Sequence, residues 1–178
     1  MTSGDLGPEP GPYGQYPSGG GQYGGYPSGG GQYGGYPSGG QPGGLLLRWL
    51  ARFIDGILVA IVSWLLAFAT DSASNIMVTG FFTGGLMFVY FLALEAGLGS
   101  TPGKKLLGLR VRGPGGAPKP TVAQAAIRNS WTLLPIIPFV GGLLGIIAII
   151  VIAVTISGSP SKQGKHDELA GGTQVVKG

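Results

Sequence analysis

Two long apolar runs and a third, interrupted one organise the chain. The first, Leu45 to Ala69 (LLLRWLARFIDGILVAIVSWLLAFA), has three charges at its front end and none from Gly56 onward. Arg48, Arg52 and Asp55 are spaced four and three apart, which puts them on one face of an α-helix. A span takes about 20 mostly apolar residues, and this run supplies them only if Asp55 enters the bilayer about one turn below Arg52. An acidic side chain there costs on the order of 2.5–3.5 kcal/mol unless it is paired or faces protein or water. The second run, Ile76 to Gly97, carries Glu95 as its only charge and follows a polar turn, Asp71 to Asn75. Spans joined so tightly form an antiparallel hairpin, bringing Asp55 and Glu95 to similar depth beside Arg48 and Arg52. These acids and bases are a candidate ion- or proton-handling cluster. The competing reading is structural: arginine snorkels to head groups while Arg52 and Asp55 pair along the helix.

The third run is broken. Thr121 to Leu134 predicts a helix with a Thr cap, Pro135 and Pro138 interrupt it, and Phe139 to Ser157 is apolar without charge. The expected spans are therefore about 50–69, 76–97 and 131–157. Either residues 121–157 cross once, or the first helix dips in, breaks at the prolines and the last run returns. Lys162 and Lys165, close behind, lean towards a return. Gly80 and Gly84, like Gly141 and Gly145, are four apart and are expected to serve helix packing.

From Leu98 to Asn129, Lys104, Lys105, Arg110, Arg112, Lys119 and Arg128 stand without an acid, whereas the opposite turn has only Asp71. The positive-inside rule places this 98–130 loop and the N-terminal tail in the cytoplasm. Gly99 to Val111 (GSTPGKKLLGLRV) is not a nucleotide loop: Leu98 stands where GxxxxGK needs its first glycine, and Lys105 replaces the Ser or Thr. Thr101, Pro102, Gly103, Lys104 and Gly108 remain as a cytoplasmic loop motif. Alternating Leu107, Leu109 and Val111 before Gly113 to Gly116 predict a short extended segment and a turn.

Composition agrees with lipid as the solvent. Apolar residues make up 44% of the 178, and charged residues 10%, against about 25% in soluble proteins. The fold class expected is an all-α integral membrane protein, a small multi-pass helical bundle with a disordered N-terminal tail. The net charge of +4 comes from eleven Lys and Arg residues set beside apolar runs, which favours topology signals and anionic lipid head groups over nucleic acid. Cysteine is absent, and His166 beside Asp167 is the only histidine. A cap or turn role is read for that pair; no metal-ligand set or catalytic triad is present, so neither cofactor nor enzymatic activity is expected.

Residues 1–44 form a separate region, with 45–178 as the membrane domain. Residues 11–40 are three ten-residue repeats, GPYGQYPSGG and twice GQYGGYPSGG. Such a sequence buries no core, and disorder is its physical default. It reads as a flexible spacer or as an interaction tail whose tyrosines act as stickers for protein partners or self-association. No Lys or Arg precedes Arg48, so binding of a phosphate backbone is not expected. Ala67-Phe68-Ala69 has the small residues of a signal cleavage site, but the run is too long and too far into the chain; a retained first span is read.

Four stretches, RWLARFIDGILV from Arg48, ALEAGLGSTPGKKLLGLRV from Ala93, AIRNSW from Ala126 and KHDELAGGTQVV from Lys165, resemble in order the RDD family of bacterial integral membrane proteins. That family is named for an arginine and two aspartates. The resemblance implies that Arg52 (or Arg48) and Asp55 are the first two and that Asp167 is the second aspartate, joining the Asp55 cluster if it shares that edge. It covers roughly Arg48 to Val176; the repeat tail is outside it and is similar to tails of proline-rich antigen-type members. Relatives often carry an arginine-rich run before HD, where this chain has only Lys162 and Lys165. The resemblance implies a bacterial cell-membrane protein, for which transport, including cation–proton exchange, has been proposed in some members. Two functions follow as expectations: transport through Asp55, Glu95 and Arg52, for which so small a domain would oligomerise, and a non-transporting scaffold that recruits partners through its tail.

Overall fold

The computed structural model describes residues 40–178; the expected disorder of the repeats lies outside the described residues. Helices α1 (Leu45–Ala69) and α2 (Ile76–Leu98) form the hairpin. Asn75 starts α2 by accepting the Met77 and Val78 amides, satisfying donors that a helix start leaves open. Gly99, at φ +67°, ends it in the left-handed conformation that glycine adopts without strain. A third long helix, α5, spans Gly141–Gly158. All three are long and apolar enough to cross a membrane. They expose Ile61, Trp64 and Phe68, Phe81 and Val89, and Ile146, Ile150 and Val154, the inverse of a soluble helix, whose polar face meets water. The protein is a mostly helical integral membrane protein, as the all-α expectation required of its spans.

The third apolar stretch does not cross as one piece. Helix α4 (Val122–Asn129) is started by a capping box in which the Thr121 hydroxyl takes the Gln124 amide and the Gln124 side chain takes the Thr121 amide. It runs into a 3-10 segment, Ser130–Ile136, because Pro135 has no N–H to donate and disfavours helix before it. This segment descends beside α2: Asn129 bonds Glu95, whereas Thr132, Pro135 and Ile136 lie against Gly84 and Gly80. Helix α5 then starts with Gly141 against Leu134 and Pro135. It returns until the Thr155 hydroxyl accepts the Lys165 amide at the start of α6 (Lys165–Leu169). The helix long and apolar enough to span here is Gly141–Gly158, shorter than the expected 131–157, and the chain runs down beside α2 and back along α5, the geometry that a dip and return would have. The 18 residues of α5 rise about 27 Å, near the ~30 Å hydrocarbon thickness.

The four glycines flank that 3-10 segment, Gly80 and Gly84 from α2, Gly141 and Gly145 from α5. They make room for an irregular piece of backbone rather than for a neighbouring helix, which keeps its polar groups inside protein as a bilayer requires.

At the opposite end of the dip, a short helix α3 (Pro102–Leu106) and an antiparallel sheet in the order β1–β3–β2 cap the bundle. Its strands are β1 (Gln41–Pro42), β2 (Leu109–Arg112) and β3 (Gln174–Lys177), with Pro42 opposite Val176 and Val111 opposite Val175. Ala51, Leu109, Val111 and Val175 form a buried core there. The extended segment expected around Leu109 is β2, while β1 starts the fold ahead of the boundary drawn at residue 45. Pro42 sits where proline is tolerated, on an edge strand.

Gly84→Ala is expected to lower the unfolding temperature in detergent. Its added Cβ would stand 3.0 Å from the Thr132 carbonyl and the Ile136 side chain, overpacking worth about 1–3 kcal/mol. Gly85→Ala, with nothing within 4 Å, is expected to leave or raise it; equal effects would remove the packing role.

Candidate functional site

Helix α1 buries a stripe that includes Arg48, Ala51, Asp55, Val59, Ser63 and Ala67. The charges on it are solvated by protein. Asp55 is fully buried. Its Oδ1 accepts the Tyr90 hydroxyl at 2.7 Å and the Gly103 amide at 2.8 Å, and its Oδ2 accepts the Thr101 hydroxyl. Tyr90 is on α2, and the other two donors come from the start of α3, where Thr101 is the cap and Pro102 fills a first-turn position that needs no N–H. Residue 103 is glycine because a Cβ would collide with the Ala51 carbonyl and the Asp55 carboxyl. Gly108, at φ +66°, turns the chain from α3 into β2.

Glu95 and Asp167, also fully buried, are held by cations. Glu95 takes Lys104 Nζ at 2.7 Å, Arg128 Nε at 3.2 Å and Asn129 Nδ2 at 2.9 Å. Asp167 takes Arg48 Nη1 at 3.0 Å, Arg128 Nη1, the Thr173 hydroxyl at 3.1 Å and the Gly164 amide at 3.1 Å. Arg48 also donates to the Gly43 and Val175 carbonyls, tying α1 to β3. Arg128 links the two carboxylates, and Lys104, adjacent to Gly103, links α3 to the same centre.

Arg52 behaves differently. It does not pair with Asp55, as the structural reading expected, and it makes no ion pair among the described residues. One Nη donates to Asn129 at 3.1 Å, and its guanidinium lies over Phe91 at 3.6 Å and Trp131 at 4.5 Å, cation–π contacts that hold its plane. The structure therefore gathers Arg48, Arg52, Asp55, Glu95 and Asp167 with Thr101, Gly103 and Lys104, and divides them into a paired set and two unpaired charges, Arg52 and Asp55.

Burial pushes the Asp167 carboxyl up, but Arg128, His166 and Arg48 outweigh it and hold the group below the usual carboxylate range. Burial lowers the Lys104 ammonium against the pull of Glu95. His166 is pushed down to about 4, first by burial, with Asp167 opposing and the surrounding arginines adding to the fall.

Two openings adjoin the network. A cleft of about 460 Å³ lies between α1 and α5, with apolar walls and with Arg52, Arg128, Trp131 and His166 at one end. A smaller one, about 200 Å³, lies between α1 and α2 and is lined by Ser63, Thr79 and Thr83. No group of three or more potential metal ligands is found among the described residues.

Sequence reasoning missed Arg128 as the hub, and with it Asn129, Tyr90 and Thr173. A signal was present: Arg128-Asn129 sits inside an otherwise apolar stretch just before the proline break, where a charge needs a protein partner.

A multi-pass helical membrane domain with a buried arginine–aspartate network is the class these features define. The family model described as RDD family matches residues 42–171, and the chain belongs to that family. No curated protein and no solved structure matches it.

Asp167→Asn leaves Arg48 and Arg128 undercompensated and is expected to destabilise by on the order of 3–5 kcal/mol. Glu168→Gln, which breaks a pair whose side chains are 58% and 50% exposed, should change stability by about 0–1 kcal/mol; denaturant unfolding in detergent compares them. His166 gives a pH prediction. Its folded value of about 4 lies below its ordinary 6.5, so between these the unfolded chain binds more protons and stability rises with pH. Unfolding temperature should fall on acidification from pH 6.5 to 4.5, and His166→Gln should flatten that limb.

Proposed function

We propose that the domain exchanges a small cation with a proton across the membrane, with Asp55 as the exchanging group. One observation carries this. Glu95 and Asp167 are locked in ion pairs, whereas Asp55 is held by a hydroxyl pair and an amide and meets no cation within ion-pair distance among the described residues. An intramembrane carboxylate with no counter-ion from its own chain is by default a candidate for handling an ion. It stands two residues from the middle of α1, residue 57 of Leu45–Ala69. An opening with Ser63, Thr79 and Thr83 among its lining lies further along the same helix pair, a candidate approach from the far end. In this reading the network end, with its lysines and arginines, faces the cytoplasm of a bacterial cell, and copies of the domain assemble to enclose the path.

The scaffold reading keeps one supporting observation. Gln41–Pro42, which follow the repeats directly in sequence, pair with β3 in the sheet that also holds the basic residues Arg110 and Arg112 of β2.

The flux experiment uses the full chain in vesicles with a pH-sensitive dye inside. Pulses of sodium, potassium or lithium are expected to drive proton movement. Asp55→Asn should lower it by at least about tenfold, as loss of one essential proton-carrying group does, while Thr101→Val should lower it less. No cation-dependent flux in the parent chain, or full flux in Asp55→Asn, would sink the proposal.

A further inference from the structure

Among the described residues, three buried side-chain atoms have no hydrogen-bond partner: Arg52 Nη2, Trp131 Nε1 and His166 Nδ1. All three residues line the same cleft between α1 and α5. Unpaired buried polar atoms are costly and uncommon, and their convergence on one opening points to a ligand. We propose that this cleft holds an acidic membrane lipid, its anionic head group bound by Arg52 beside Trp131 and His166, and an acyl chain laid between α1 and α5.

Charge selects the head group. The network gathers four cations, Arg48, Arg52, Lys104 and Arg128, around three carboxylates, Asp55, Glu95 and Asp167. The surplus positive charge falls on Arg52, whose guanidinium is pinned between Phe91 and Trp131 with one nitrogen unpaired. A planar fork with a free edge suits a phosphate oxygen. A cation would be repelled there, and a neutral solute would leave Arg52 uncompensated. His166, neutral at physiological pH because burial lowers it, adds a polar atom without adding charge.

The walls select the tail. Trp49, Phe53 and Ile57 on α1 face Ile149, Ile152 and Ala153 on α5. Trp49, Phe53, Ile57 and Ile149 are about half exposed on the lipid-facing surface, so a chain enters from the bilayer side. A volume of about 460 Å³ is in the range of ligand sites. A second copy of this chain is the poorer occupant: the acids within its described spans are Asp55 and Glu95, both fully buried in their own network, so its helices offer no carboxylate to Arg52.

The test uses the full chain with Trp49→Phe and Trp64→Phe, which leaves Trp131 as the sole tryptophan of the three. It is reconstituted in phosphatidylcholine vesicles carrying equal mole fractions of brominated phosphatidylglycerol or brominated phosphatidylcholine, and quenching of Trp131 is read. The acidic lipid is expected to associate about fivefold more strongly, the factor one basic residue supplies, and to keep that preference in high salt because the contact is buried. Arg52→Gln should bring the ratio to about one. If that variant does not fold, Ala153→Phe decides, since it fills the apolar end without touching the charges. It should remove the excess quenching by the acidic lipid, and an unchanged excess would overturn the proposal. Equal quenching in the parent, or a preference that survives Arg52→Gln or vanishes with salt, assigns the effect to surface charge and overturns it. Absence of quenching by either lipid means another chain covers the cleft, and displacement by soluble glycerol phosphate means a small-anion site; each also overturns the lipid assignment. The readout is independent of flux, so it stands or falls separately from cation exchange.

Discussion

A carboxylate taken out of water beside a lipid bilayer must be given donors by the protein, and most of this structure is the means of doing so. Asp55, Glu95 and Asp167 are fully buried, on α1, α2 and α6. Each is reached by side chains or amides from at least one distant segment. Isolated, such a charge would cost several kcal/mol; paired and hydrogen-bonded, it fixes where each segment must sit. Arg128 joins Glu95 to Asp167, Arg48 joins Asp167 to β3, and the start of α3 joins Asp55 to the loop. The positions of the loop and the C-terminal segment are set by these charges together with the small core around Ala51 and Val175.

The same constraint explains the irregular backbone. A helix interrupted by Pro135 would expose carbonyls to lipid unless protein surrounded them. Glycines on α2 and α5 let two helices close around the 3-10 segment, and the return through α5 carries α6 back to Arg128. Dip, return and salt bridges are one arrangement seen at two depths. The two openings then follow one another along α1 and share Ala60, the smaller with Ser63, Thr79 and Thr83 among its lining and the larger with apolar walls and a cationic end.

Much of the fold was legible in the chain. The hairpin, its polar turn, the Thr121 cap and the break at Pro135 follow from local rules acting within a few residues. The cluster was legible in part: Arg48, Arg52, Asp55, Glu95 and Asp167 do come together, and Thr101, Gly103 and Lys104 join them. The expected pairing of Arg52 with Asp55 is absent because Tyr90, Thr101 and Gly103 hold Asp55, while Asn129 and two aromatic rings hold Arg52. Strands β1 and β3 were not legible, since two or four residues carry no period that identifies a strand without its partner.

Hydropathy and length are properties of contiguous residues, so the sequence by itself determined that this is a helical membrane protein, roughly where its helices run and which charges would need partners. Which charge meets which was decided only by the tertiary structure. Arg48 and Asp167 are 119 residues apart and Arg128 and Asp167 39, and no local rule chooses among cations at such separations. That choice left Asp55 and Arg52 unpaired, and these two are the groups through which the domain is proposed to act.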